Sequence, residues 1–403
     1  MIHRVLFLGA IAGLFLLAGC NADPSIPPPP LPRFQLFELD SVDYGSKVPI
    51  RVAYQNELVP FAFGPTPAKA RYRGGASSVY PKHSFTLRLA EAQSLCGMPK
   101  DKDWILNASY IDRSFSRHTV SYDLFRAFSD RNIAPQHAPV EVYLGDAYYG
   151  LFLLMERLDG TRLQLDKKNS GACYFKDPPV FRNQRFMDTY PHLDTNNLYH
   201  QKFPKVRKRN FNAELDSLRQ FIFYASDSAF ADADQGIFHR FDQSSVIDWH
   251  LLLLVTNNGD GIAKNFYLYR QRAGDPFRIA PWDYDSTFGR DGDSEPHWEG
   301  VLEPEQHVFF QRLMELNPNG YREALKQRFK DLQSQGILTV AGINERLLNQ
   351  WERLYPYFDQ NAQKWPIDER FYIDACKADC EIPRMQEWVT NHLPLVAQKL
   401  QSL

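Results

Sequence analysis

The sequence predicts an α+β protein, with a sheet-rich N-lobe followed by a helical C-lobe, exported and held at a membrane by its N-terminus. Three observations lead there. A short apolar run at the start ends at a cysteine, alternating runs fill residues 34–89, and beyond residue 300 apolar positions recur three or four apart.

Residues 1–19 read as a lipoprotein signal peptide. Val5 to Gly19 is apolar but shorter than the ~20 residues that span a bilayer, and it ends in Leu17-Ala18-Gly19-Cys20. Small residues before a cysteine are what a lipoprotein signal peptidase accepts, so Cys20 is the expected lipidation site. Several acyl chains anchor stably where one does not. Asn21, where Asp would retain the chain at the inner membrane, favours the outer membrane by the Gram-negative sorting rule. Residues 20–33 then form a tether, because Pro24, Pro27 to Pro30 and Pro32 favour extended polyproline II backbone.

Residues 34–310 form the main expected domain. Alternation bounded by Gly and Pro predicts antiparallel strands over 34–39, 47–54, 68–73 and 84–89. A helical stripe (Phe115, Val120, Leu124, Phe128) predicts a helix over 113–128, with Asp112 or Ser114 as its cap. Residues 140–144 and 150–157 pair around Gly145-Asp146. Helical patterning returns over 211–226 and 244–254, and a hairpin turning at Gly274-Asp275 joins 266–270 to 277–280. Residues 311–403 read as a helical extension completing the C-lobe, with helices over 322–335, 340–357 and 384–402.

A net charge of −2 leaves no overall basic footprint for nucleic acid. Residues 201–210 are locally basic (Lys202, Lys205, Arg207, Lys208, Arg209), which suits a solvated face or, more sharply, contact with an acidic substrate or phosphate. Four further cysteines allow three complete pairings in an oxidising compartment. Proximity favours Cys376 with Cys380, leaving Cys96 with Cys173. His118, His137, His250 and His297 lack metal spacing and read as packing residues.

Chemistry concentrates between Thr256 and Arg290. Asn257-Asn258-Gly259-Asp260 follows an apolar run, and Asn265 stands five positions after Asp260. That spacing is the one at which a protein-kinase catalytic loop places a proton-accepting Asp and a metal-holding Asn. The following hairpin returns the chain to Pro281-Trp282-Asp283-Tyr284-Asp285, where Asp283 matches the position of a second magnesium ligand. Asp285 is a further ligand or a cap for Ser286-Thr287. Upstream, Arg73-Gly74-Gly75-Ala76-Ser77-Ser78 offers backbone amides to phosphates, and Lys82 begins an alternating strand from which an ammonium reaches them.

These segments together resemble the CotH (spore coat protein H) kinase family. The likeness runs from about Arg71 to Gly289 and also includes Asp112 through Arg117 and Tyr149 through Arg157. It implies an atypical protein-kinase-like, two-lobed fold that binds ATP with Mg or Mn and phosphorylates protein Ser or Thr. By position it implies Asp260 as the catalytic residue and Asn265, Asp283 and Asp285 as metal ligands. Lys82, Arg73, Ser77, Met155 and Glu156 fall to the nucleotide. Asn258-Gly259-Asp260 stands where such loops carry His-Arg-Asp, and the first helix offers Asp123 rather than Glu as a partner for Lys82. The expected substrate is an envelope or secreted protein, including this chain itself. The alternatives are a catalytically silent surface-assembly or binding protein, using aromatics such as Tyr80, Tyr110, Tyr148 and Trp298, and a kinase-like nucleotidyl or aminoacyl transferase.

Overall fold

The computed structural model describes residues 30–189, 194–290, 300–366, 370–371 and 378–403. The signal peptide, Cys20, most of the tether, Cys376, His297 and Trp298 lie outside the described residues.

Seven strands build the N-terminal part: β1 (Arg33–Phe37), β2 (Val48–Asn56), β3 (Phe61–Arg73), β4 (Ser84–Gln93), β5 (Asp101–Asn107), β6 (His137–Leu144) and β7 (Ala147–Glu156). They close into a barrel in the order β1-β2-β3-β4-β5-β7-β6. Neighbours pair antiparallel except at the seam, where β1 runs parallel to β6 from Arg33↔Glu141 to Leu36↔Leu144. Strand alternation feeds two cores at once. On β7, Phe152 and Leu154 join Phe85, Leu87 and Trp104 inside the barrel, while Leu151, Leu153 and Met155 face the helical body.

Between β5 and β6 runs α1 (Arg117–Phe128). Asp112 caps its start, accepting the amides of Ser114 (3.2 Å) and Arg117 (2.9 Å). The remainder contains β8 (Cys173–Lys176), α2 (Gln184–Thr189), β9 (Gln201–Phe203), α3 (Asn212–Tyr224), α4 (Asp227–Ala231), α5 (Ile237–Arg240) and α6 (Gln243–Thr256). After α6 come β10 (Phe266–Arg270), β11 (Arg278–Pro281), α7 (Val308–Leu316), α8 (Tyr321–Ser334), α9 (Val340–Lys364) and α10 (Ala378–Gln401). Strands β11-β10-β8-β9 form a second, antiparallel sheet. The helix α6 is apolar on nearly every face and therefore runs through the centre of this body, buried from Ser245 to Thr256.

The expected two-lobed, kinase-like layout is thus overturned. The N-terminal strands form a closed barrel rather than an open sheet, and the later half carries a sheet of its own. Alternation predicts strands but not closure, which depends on a β1–β6 pairing over a hundred residues apart and on register shifts that bend the sheet at Val52/Tyr54, Arg88/Gln93 and Val142/Tyr143. Three strands, β5, β8 and β9, lack a clear alternating signal in the sequence.

The expected Cys96–Cys173 bridge is also corrected: both thiols are free. Cys96 lies beside Tyr54 (Sγ to Oη 3.3 Å) at the barrel, whereas Cys173 is buried in β8, where burial pushes its thiol up to about 12. Cys380 is disulfide-bonded.

Candidate functional site

An open cleft of 1040 Å³ lies where the end of β3 faces the second sheet. It collects Arg73, Ser77, Asp260, Asn265, Asp283 and Asp285 on one lining.

Local chemistry explains each loop. Asn257 ends α6 in the left-handed region (φ 56°), and its side chain bonds Leu302 N (2.7 Å) and Gly300 O (3.2 Å). Asn258 accepts the Gly261 amide (3.0 Å), and a Cβ at Gly261 would sit 2.6 Å from Leu253 Cδ2, so any larger residue would have to displace Leu253. This turn presents Asp260, half-exposed and paired with Lys264 Nζ at 2.8 Å. The pairing holds the Lys264 ammonium above its ordinary range.

Asn265 and Asp283 also have positive φ (65° and 59°), a conformation Asn and Asp tolerate better than most residues. Each is held by backbone bonds. Asp177 Oδ1 accepts the amides of Asn265 (2.8 Å) and Phe266 (3.2 Å), and Asn265 O accepts that of Trp282 (2.9 Å). The Asp283 amide donates to Tyr122 Oη and the Tyr284 amide to His118 Nδ1, both at 2.9 Å. Beyond them, buried Arg117 binds Thr287 O (3.0 Å), Asp112 (2.8 Å) and Glu381 (2.7 Å). Glu381 also pairs with Arg290, so α1, the loop after β11 and α10 are tied together.

Cationic side chains outnumber acidic ones in the cleft. Eight Lys and Arg side chains against three Asp line the cleft, which makes it electropositive in a nearly neutral protein. Arg73 and Lys176 both pack on the Trp282 ring, with charge centres 5.5 and 5.2 Å from its centroid. Burial lowers the pKa of each, and neighbouring carboxylates partly restore it, Asp283 for Arg73 and Asp177 for Lys176. Lys202, from the basic run, lines the same wall. Burial, and then the charge of Asp283, raise the Asp285 carboxyl to about 6. Two carboxylates this close favour a shared cation.

His118 lies beside the two carboxylates. Its ring nitrogens lie near both carboxylates, with ligand atoms of His118, Asp283 and Asp285 all within 4.8 Å of one another. Because Nδ1 accepts the Tyr284 amide, the neutral ring carries its proton on Nε2, 4.0 Å from Asp283 Oδ1. His118 therefore faces the carboxylates as a donor, and Asp283 and Asp285 offer the hard oxygen atoms of this group. Sequence reading passed over His118 because its partners lie some 165 residues away; the motif it follows, Asp112 through Arg117, was the available signal. Lys176 and Asp177 carry no spacing signal at all.

Two expected nucleotide contacts, Met155 and Glu156, do not line the cleft, and the ammonium of a third, Lys82, is already bonded to protein atoms. Lys82 borders the cleft floor but is only 2% exposed. Its Nζ donates to Ala108 O (2.8 Å), Leu151 O and Asn361 Oδ1 (3.3 Å), which uses all three ammonium protons. Burial pushes its pKa well down. Asp123 does not orient it, being bonded to His137 (3.0 Å) and Arg126. Met155 is in the hydrophobic core and Glu156 pairs with Arg162 (2.9 Å); the next residues, Arg157 and Leu158, reach the cleft instead. Strand alternation and the α9 side chain Asn361 decide these outcomes, and neither is local to the motif. Tyr80, an expected surface aromatic, is buried and stacks on Tyr110 at 5.3 Å.

Comparison with known proteins bears on the family of the chain. The family model described as CotH kinase protein matches residues 70–394. Inner spore coat protein H of Bacillus subtilis (strain 168) is 23% identical over 328 residues, covering 81% of this chain and 87% of that protein.

Proposed function

The chain belongs to the CotH kinase protein family, and on that footing we propose that it transfers the γ-phosphoryl group of ATP to a Ser or Thr hydroxyl of a protein at the cell envelope. The observation that carries this reading is the convergence of Asp260, Asn265, Asp283 and Asp285 on one cation-lined cleft.

Asp260 takes the hydroxyl proton as the oxygen bonds to the γ-phosphorus, and the bond to the β–γ bridging oxygen breaks to release ADP with its electron pair. Arg73, Lys176 and Lys264 hold the phosphate oxygens, and the Gly74–Ser77 loop offers amides beside them. Asn265, Asp283 and Asp285 are the residues that would hold Mg or Mn. When bound, the ion supplies charge neutralisation on the phosphates and between the two carboxylates. His118 keeps the Asp283–Asp285 segment in register through the Tyr284 amide.

Thermal stabilisation by ATP with and without magnesium, run beside phosphoryl transfer detected by mass spectrometry on the protein itself, tests this. We expect stabilisation that needs the metal, loss of that dependence in Asp283→Ala, and a mass gain of one phosphoryl group. Stabilisation without transfer would favour a silent binding protein. A gain matching a nucleotidyl or aminoacyl group would favour another transferase. An unchanged melting temperature with ATP and magnesium would end the nucleotide reading.

A further inference from the structure

The barrel end opposite the cleft carries an apolar tip. Between β2 and β3 the chain turns through Leu58, Val59 and Pro60, and Leu58 (47%), Val59 (56%) and Phe61 (37%) are three of the nine most exposed large apolar side chains among the described residues. Single exposed apolar groups are ordinary, but three within four positions form a patch. No charged residue occurs from Leu58 to Ala68. The tip is held in shape: Asn56 Oδ1 accepts the amides of Leu58 (3.1 Å) and Val59 (3.3 Å), and Phe61 packs on Tyr54 and Phe63 at 6.0 Å each. These residues also precede the segment matched by the family model, so the family resemblance does not account for them.

Topology places the start of the barrel near the patch. Arg33, where the expected lipid tether joins the barrel, pairs with Gln55, three positions before Leu58. Leu31 is buried and its amide bonds Tyr357 Oη at 3.0 Å, which pins the point where the tether leaves the folded body. Anchor side and apolar tip therefore share one end of the barrel, and exposed Arg33 adds a cation there. The cleft lies at the other end. Strand β3 runs from Phe61 at the tip to Arg73 in the cleft lining, roughly 40 Å of extended chain. The expected tether ahead of Leu31 supplies reach but no orientation, so the anchor alone does not fix how the body faces the membrane. No helix of the described residues is long and apolar enough to cross a membrane.

We propose that Leu58, Val59, Pro60 and Phe61 form a lipid-contact tip that rests on the bilayer carrying the Cys20 anchor, so that the cleft opens away from the membrane. Phosphoryl transfer plays no part in this; only the expected anchor enters.

The test uses the mature chain from residue 21 with an N-terminal hexahistidine tag, held on phosphatidylethanolamine–phosphatidylglycerol vesicles doped with nickel-chelating lipid. Hydrogen–deuterium exchange is then compared with the same chain free in solution. We expect the Glu57–Phe61 amides to exchange at least ~10-fold more slowly on vesicles, with Arg73–Ser78 unchanged. Leu58→Asp with Val59→Asp, both at exposed positions, should restore free-chain exchange at the tip without altering the melting temperature. Equal tip exchange on and off vesicles would overturn the proposal. So would protection at Arg73–Ser78 instead, or tip protection in free chain that grows with protein concentration, which would assign the patch to a second copy.

Discussion

The barrel and the cleft beside it are stabilised in different ways. Inside the barrel, Phe34, Phe85, Trp104, Val140 and Phe152 make a dry apolar core contributed by strands that mostly pair with their neighbours in sequence. Around the cleft, position is set by polar bonds between distant residues: Asn265 to Asp177, Tyr284 to His118, Thr287 to Arg117, Arg117 to Glu381. Apolar burial is non-directional and tolerates small shifts. Buried hydrogen-bonded charges do not, and losing one partner strands the other. The barrel can therefore vary in sequence while serving as a platform, whereas the cleft's arrangement is specific and easily broken.

A matched pair of substitutions gives the sharpest separation. Asp260→Ala should lower phosphoryl transfer by ~10²- to 10⁴-fold while nucleotide binding and melting temperature stay near wild type. Phe152→Ala, in the barrel core, should instead cost ~3–5 kcal/mol of stability and leave nucleotide affinity of the folded fraction unchanged. Denaturant titration and nucleotide binding on both variants check this. An Asp260→Ala variant with wild-type turnover would break the contrast.

Acid should separate the regions next. Burial holds His392 down to about 4 and His250 to about 3, and both lie in the helical body, the first donating to Leu254 O at 2.8 Å. The unfolded chain takes up these protons near pH 6.5 and the folded chain does not, so stability is full above that pH. It should fall as pH drops toward 4 for His392 and 3 for His250, then level off. By pH 5 the loss is on the order of 2 kcal/mol for each. Urea unfolding at pH 7 and pH 5 would measure it, and His392→Gln should flatten the profile.

The smallest effect discriminates between lysines. Lys176→Ala should raise the KM for ATP about tenfold, the scale of one charge-assisted bond. Lys82→Met should change that KM by less than about twofold, because its ammonium protons already serve Ala108, Leu151 and Asn361. The reverse order would return Lys82 to the phosphates.

Much of this was legible in the chain itself. Alternation marked β1 to β4 and the β6–β7 and β10–β11 hairpins, the latter two with their Gly-Asp turns, because turn and strand preferences act over a few residues. For the same reason Asn257 through Asn265 and Trp282 through Asp285 stood out: the spacing of these cleft-lining residues lies within single loops. Barrel closure, the burial of Lys82, the free thiols of Cys96 and Cys173, and His118 facing two carboxylates were decided by the tertiary structure alone. Each depends on partners distant in sequence, as Leu151 is from Lys82 and Tyr284 from His118, and no local preference encodes which distant surface a side chain will meet.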